Sequence, residues 1–185
     1  GAKVAVLDVR KENADKVAGE IKGLALGADV TNEQQVKDAI ARAEAAHGIA
    51  RVLVNCAGVG NAIRTVSKTG AFPLDQFTRV ININLIGTFN VLRLFAERLV
   101  TAEAEREERG VIINTASVAT YDGQIGQAAY SASKGGVVGL TLPVARDHAS
   151  MLIRIITIAP GLFLTPLLMV LPEEARKSLG AQVPH

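Results

Sequence analysis

Tyr130 and Lys134 stand four residues apart in YSASK, within a stretch rich in small residues. On a helix that spacing puts a phenol and an ammonium on one face. Ser117, a hydroxyl, comes thirteen positions before Tyr130. A phenol is a poor base at neutral pH, but a cation about 5 Å away stabilises its anion by roughly 3 kcal/mol at an effective dielectric of about 20. Tyr130 could then pass a proton to or from a substrate oxygen while hydride moves at the carbon, with Ser117 holding that oxygen in place. The chemistry implied is oxidation of an alcohol or reduction of a ketone.

Positioning these groups requires a strand, a loop and a helix. Val111, Ile112 and Ile113 read as a buried strand that ends in Asn114, Thr115 and Ser117. A Gly- and Gln-containing loop follows, then a helix over Ala128–His148. Open α/β sheets carry their ligands at the carboxyl ends of strands, where Ser117 falls. Four more strands are predicted at Lys3–Leu7, Leu24–Val30, Arg51–Asn55 and Leu152–Ile158. Helical periodicity separates them: Arg10–Lys22 with Ala14, Val17, Ala18 and Ile21 inward, and Glu33–His47 capped by Thr31 with Val36, Ile40 and Ala43 inward. A long helix over Leu74–Val100 follows, its inward candidates being Phe77, Val80, Ile81, Asn84, Leu85 and Phe89. Alternating strands and helices give a parallel α/β sheet with right-handed crossovers, a Rossmann-like doubly wound fold in one domain over residues 1–185. Asn84, polar on an apolar face, must find partners. Asn61–Pro73 reads as a polar loop, Thr101–Arg109 as a solvated charge run, and Leu164–Leu171 as an apolar lid.

With 185 residues, 49 % of them hydrophobic and 21 % charged, the chain can bury a core, and a formal charge of +2 argues neither for nor against an acidic partner. No basic, aromatic-rich patch suggests nucleic acid, no apolar run reaches the length of a membrane span, and no ligand cluster suggests a metal. Cys56 is the single cysteine, expected as a buried thiol of a reducing compartment. His47 and His148 fall at helix ends, where a structural role is expected.

NCAG at Asn55–Gly58, NLIGTFN at Asn84–Asn90, Ser117, YSASK and IAPGLFLTP resemble, in order and spacing, the short-chain dehydrogenase/reductase family. The resemblance covers nearly the whole chain. Within that family RGVIINTASVA, GQAAYSASKGG and APGLFLTPLL look most like the branch that oxidises 3-hydroxyacyl-CoA thioesters. It implies Ser117, Tyr130, Lys134 and Asn84 as the catalytic set, with Asn84 supporting a proton relay from Lys134. It implies NAD as cofactor, with NADP the alternative: Asp8, at a strand end, suits ribose hydroxyls and repels a 2′-phosphate, whereas Arg10 and Lys11 could attract one. Asp29 and Val30 would flank the adenine. The small residues Cys56, Ala57 and Gly58 would let backbone approach the dinucleotide, Pro160 and Gly161 would turn beside it, and Thr165 would hold the carboxamide. Gln124 and Gln127 line the substrate side by resemblance alone. An acyl-CoA-like small molecule is the implied substrate, a homodimer or homotetramer through the long helices the implied assembly, and the cytoplasm, or the mitochondrial matrix of a eukaryote, the implied setting.

Two pieces of the family pattern are absent: the first strand with its TGxxxGxG turn and helix, and the closing helix and strand. The first strand belongs in the middle of the sheet, so the strand order is expected to have a hole. The chain is accordingly expected to be part of a longer polypeptide and to bind dinucleotide poorly on its own. Two other functions stay open: NADPH-dependent reduction of a 3-oxoacyl-[acyl-carrier-protein], and a non-catalytic scaffold.

Overall fold

The computed structural model describes residues 1–169 and 173–181. Five parallel strands form where apolar β-branched runs predict them, but in two separate sheets. β1 (Ala5–Asp8) pairs with β2 (Leu24–Gly27), and the order β3-β6-β7 joins β3 (Val52–Asn55), β6 (Gly110–Thr115) and β7 (Ile153–Ile158). Between β1 and β3 lies the expected break in strand order. The segment read as a polar loop contains a small antiparallel hairpin, β4 (Val66–Ser67) and β5 (Gly70–Ala71), too short to leave a periodic signal.

The helices are α1 (Lys11–Ile21), α2 (Glu33–His47), α3 (Leu74–Ile81), α4 (Gly87–Leu99) and α5 (Ala128–His148), with short α6 (Pro166–Met169) and α7 (Glu173–Gly180) beyond β7. The residue capping α2 is Asn32 and not Thr31: Asn32 Oδ1 accepts from the Gln35 N–H at 3.0 Å, while Thr31 is held by Asp29. The predicted long helix is interrupted by a π-turn at Asn82–Ile86 that joins α3 to α4. Gly87 follows it, and here the backbone of α4 approaches the β2 loop closely. A Cβ at this position would come within 2.6 Å of Val30 Cγ2.

One face of the three-stranded sheet is covered. Ile112, Ile153 and Ile155 pack against Leu92, Phe95, Ala96 and Leu99 of α4 and Val144 of α5. A second cluster, Val30, Val36, Val91 and Leu94, has Leu7 of β1 and Leu53 of β3 packed against it, so α2 and α4 hold the two sheets together on this side. Ion pairs Arg93–Glu33 at 2.6 Å and Arg98–Glu44 at 2.7 Å join the same two helices.

Among the described residues nothing covers the opposite face. Val52 and Val54 of β3 are 57 % and 51 % exposed, and Ile156 and Ile158 of β7, on the far side of β6, are exposed as well. The expectation for α1, which packs on β1 and β2, is met in part: Ala14 and Ala18 are buried, whereas Val17 and Ile21 are left exposed by the described residues. Phe89, expected inward, is exposed on α4, while Phe95 is in the core.

Candidate active site

β6 ends at the carboxyl edge of its sheet in Asn114 and Thr115. Asn114 is fully buried, and its Oδ1 accepts from Asn55 Nδ2 at 2.9 Å, pinning the ends of β6 and β3 side by side. Motif spacing assigns this pair no role, although two amides closing apolar strands are a legible signal. Ser117 follows in extended backbone. Its Oγ accepts from the Ala119 N–H at 3.2 Å, capping a single 3₁₀ turn and leaving the hydroxyl hydrogen for another acceptor. The Ala116 N–H donates to the Ile158 carbonyl and the Val118 N–H to the Pro160 carbonyl, which ties the loops after β6 and β7 together.

α5 presents Tyr130 and Lys134 on one face. Lys134 Nζ lies 5.8 Å from the centroid of the Tyr130 ring and donates to the Thr115 carbonyl at 2.6 Å. The strand end therefore anchors the ammonium beside the phenol. Lys134 is buried, and desolvation holds it below the ordinary lysine range, partly opposed by the neighbouring Cys56.

Cys56, Ala57 and Gly58 leave β3 as an exposed segment next to this pair. A Cβ on Gly58 would lie 3.4 Å from Asn84 Oδ1 and 3.6 Å from Lys134 Nζ, and one on Gly60 would lie 3.8 Å from the Tyr130 ring. Cys56 is exposed and not buried as expected, because β3 is an edge strand that ends just before it. Asn84 is completely buried in the π-turn. Its Oδ1 accepts from the Val59 N–H at 2.8 Å, and its Nδ2 donates to the Val59 carbonyl at 2.9 Å and to Ser133 Oγ at 3.0 Å. These are the partners its position requires.

The other candidates sit on the loops after the strands. Asp8 Oδ1 accepts from the Arg10 N–H at 2.8 Å, and Asp29 Oδ1 from Thr31 N and Oγ1 at 2.9 and 2.8 Å. Val30 belongs to the core cluster, so its side chain is largely committed to packing. Gln127 Oε1 accepts from the Gln124 N–H at 2.8 Å, which organises their own loop. Pro160 is half-buried, whereas Gly161 and Thr165 are exposed, and the Thr165 carbonyl accepts from the Leu168 and Met169 N–H groups at the start of α6. Leu164, the first residue of the expected lid, is exposed, as are Leu162 and Phe163 before it, and the lid's Val170 and Leu171 lie outside the described residues. A groove of about 790 Å³ between α2 and α4, lined by Lys37, Ile40, Glu44, Leu94 and Arg98 among others, contains none of these groups. Among the described residues no helix is long and apolar enough to cross a membrane.

The family model of short chain dehydrogenases matches residues 1–176. The 3-hydroxyacyl-CoA dehydrogenase type-2 of Bos taurus is 52 % identical, with all of this chain and 72 % of that protein aligned. The human protein of the same name is 49 % identical, again over the whole chain and 72 % of its own length. A 3-oxoacyl-[acyl-carrier-protein] reductase of Thermotoga maritima is more distant, 34 % identical over the whole chain and 73 % of its own length. The crystal structure of a 3-hydroxyacyl-CoA dehydrogenase type-2 from Mycobacterium avium superposes with a TM-score of 0.91 at 40 % identity, covering all of this chain and 73 % of that one. The chain belongs to the short-chain dehydrogenases, a family of oxidoreductases.

Proposed function

We propose that this protein serves NAD-dependent oxidation of 3-hydroxyacyl-CoA to 3-oxoacyl-CoA. The observation that carries the reading is the Lys134 ammonium held against the strand end, 5.8 Å from the Tyr130 ring. As a short-chain dehydrogenase the protein works with a nicotinamide cofactor, which supplies the hydride acceptor when bound. The residues fit such a group at its ribose and nicotinamide ends. The exposed Gly58 backbone lies beside Lys134, where a Cβ would fall 3.6 Å from the ammonium. Lys134 would bond the ribose hydroxyls, Asp8 those of the adenosine, and Asp29 with Val30 would border the adenine. Cys56, Ala57, Pro160, Gly161 and Thr165 would supply the remaining wall.

In the reaction Ser117 donates its free hydroxyl hydrogen to the substrate oxygen and holds it beside Tyr130. Tyr130 takes the proton of the alcohol as the carbonyl forms. Lys134 stabilises the phenolate through charge, and Asn84 keeps the segment after Gly58 at its distance from both. Gln124 and Gln127 border the substrate, and Leu162–Leu164 offer apolar surface to an acyl chain. Residues 1–185 act as one domain, supported by the core cluster that touches both sheets. Exposed Ile86 and Phe89 before and on α4, with Leu142 on α5, suit pairing with a second copy in a dimer or tetramer. The cytoplasm, or the mitochondrial matrix in a eukaryote, suits this metabolism.

Acetoacetyl-CoA offered with NADH and with NADPH tests the reading. NADH is expected to be oxidised at least tenfold faster, and Tyr130→Phe to lose about 10²–10⁴ in kcat, the range of a positioned acid/base group. Turnover unchanged in Tyr130→Phe would instead indicate the scaffold function. One observation favours the NADPH-dependent acyl-carrier-protein reductase as second reading: Arg10 is exposed next to Asp8, where it could meet a 2′-phosphate. Lys11 is less suited, being paired with Asp15 at 2.6 Å. Faster turnover with NADPH would decide for it.

A further inference from the structure

We propose that Ser133 is a positioning residue for this reaction, acting through Asn84 to set the segment after Gly58 over Lys134 and Tyr130; this rests on the function proposed above. Ser133 is completely buried on α5, one residue before Lys134. A serine hydroxyl carries one hydrogen. Here that hydrogen goes to the Tyr130 carbonyl at 2.7 Å, one turn back. Toward Asn84, 3.0 Å away, Ser133 is therefore only an acceptor.

That polarity fixes the direction of the Asn84 amide. Its NH₂ must face Ser133 Oγ and the Val59 carbonyl, and its oxygen is left for the Val59 N–H. A reversed amide would set oxygen against oxygen at Ser133 and at the Val59 carbonyl, and nitrogen against the Val59 N–H. The Asn84 carbonyl is held in turn by Thr88 Oγ1 at 2.8 Å, so the amide pivots on a fixed backbone. Val59 lies between Gly58 and Gly60, whose missing side chains would fall 3.6 Å from Lys134 Nζ and 3.8 Å from the Tyr130 ring. The Ser133 hydroxyl thus completes the set of bonds that holds that segment over the phenol and the ammonium. Without it, one Nδ2 hydrogen faces a dry interior with no acceptor, and only the two Val59 bonds are left to hold the amide.

The test uses the full chain with 3-hydroxybutyryl-CoA and NAD, and in parallel hydrogen exchange at the Val59 amide. Ser133→Ala is expected to lower kcat about tenfold with KM for the thioester within twofold, and to speed Val59 exchange about tenfold while Ile112 exchange is unchanged. Ser133→Thr keeps the hydroxyl and should retain at least a third of wild-type kcat. Ser133→Cys, a weak acceptor, should behave as Ala and stands in for it if the alanine variant does not fold. The double variant Asn84→Ala/Ser133→Ala should be no slower than Asn84→Ala alone, since both remove one device. Multiplying effects, wild-type kcat or Val59 exchange in Ser133→Ala, or a threonine variant as slow as alanine, would each overturn the proposal. Tyr130→Phe measured alongside separates the two levels. If it turns over normally, the proposed function fails; if it is dead while Ser133→Ala is normal, only the role of Ser133 fails. Hydrogen exchange at Val59 decides the role of Ser133 even where turnover is absent.

Discussion

At Lys134 the role proposed for the side chain opposes the stability of the fold. Burial holds its folded-state pKa below the ordinary value of 10.5, to which it returns on unfolding. Between those two values the unfolded chain binds more protons than the folded one, so stability rises with pH across the interval. Below the folded-state value both states are charged, and the buried ammonium costs its full desolvation. Lys134→Met removes this linkage. The stability of the wild type relative to Lys134→Met should therefore improve as pH rises toward 10.5, as urea unfolding at neutral and alkaline pH would show. A difference that stayed constant with pH would refute the buried-cation account. At Asn84 the charge matters less than the count of donors. Asn84→Asp would lose both Nδ2 bonds and set a carboxylate near the Val59 carbonyl, costing about 2–4 kcal/mol of stability.

Among the elements, the π-turn at Asn82–Ile86 is what presents Asn84 to Val59 and Ser133. Helical periodicity places Asn84 on the inward stripe but carries no sign of the inserted residue, because a π-turn keeps ordinary helical dihedrals and differs only in hydrogen-bond partners. Two connections can be tested by stability alone. The turn between α4 and β6 places Arg106 and Glu107 at φ values of 52° and 71°, a conformation suited to Asn-Gly. Arg106→Asn with Glu107→Gly should stabilise the chain by about 1 kcal/mol, read as a higher Tm; a lower one would contradict the assigned turn. At Gly110, where β6 begins, a Cβ would run into the Arg51 carbonyl oxygen. Backbone cannot yield as a side chain can, so Gly110→Ala should cost about 3 kcal/mol in a denaturant titration.

For the molecule as a whole, the decisive feature is the parting of the sheet between β1 and β3. α2 and α4 bridge it on one side, while the other leaves Val52, Val54, Ile156 and Ile158 in water. Burying a valine is worth about 1.5–3 kcal/mol, so this face forgoes several such contributions. An unpaired strand edge bordered by exposed valines also invites association. Sedimentation velocity at rising concentration should therefore show self-association that Val54→Lys reduces; identical profiles for the two chains would mean that this edge is not sticky.

Much of this was legible before any coordinates. The alternation of β-branched runs with helical stripes determines five parallel strands and the main helices, since local periodicity reports which side of an element faces a core. The four-residue spacing determines that Tyr130 and Lys134 share a face, and the strand end determines where Ser117 stands. The burial of Val36 and Asn84 follows in the same way. Only the tertiary structure decided which stripes had a partner: Val17, Ile21 and Phe89 are left exposed by the described residues, and Cys56 is exposed at the end of an edge strand. It alone joined Asn55 to Asn114, Lys134 to Thr115 and Asn84 to Ser133, residues distant along the chain. Spacing along one element is set by backbone geometry and can be read directly. Contact between elements depends on how the sheets and helices pack, which no single stretch of sequence encodes.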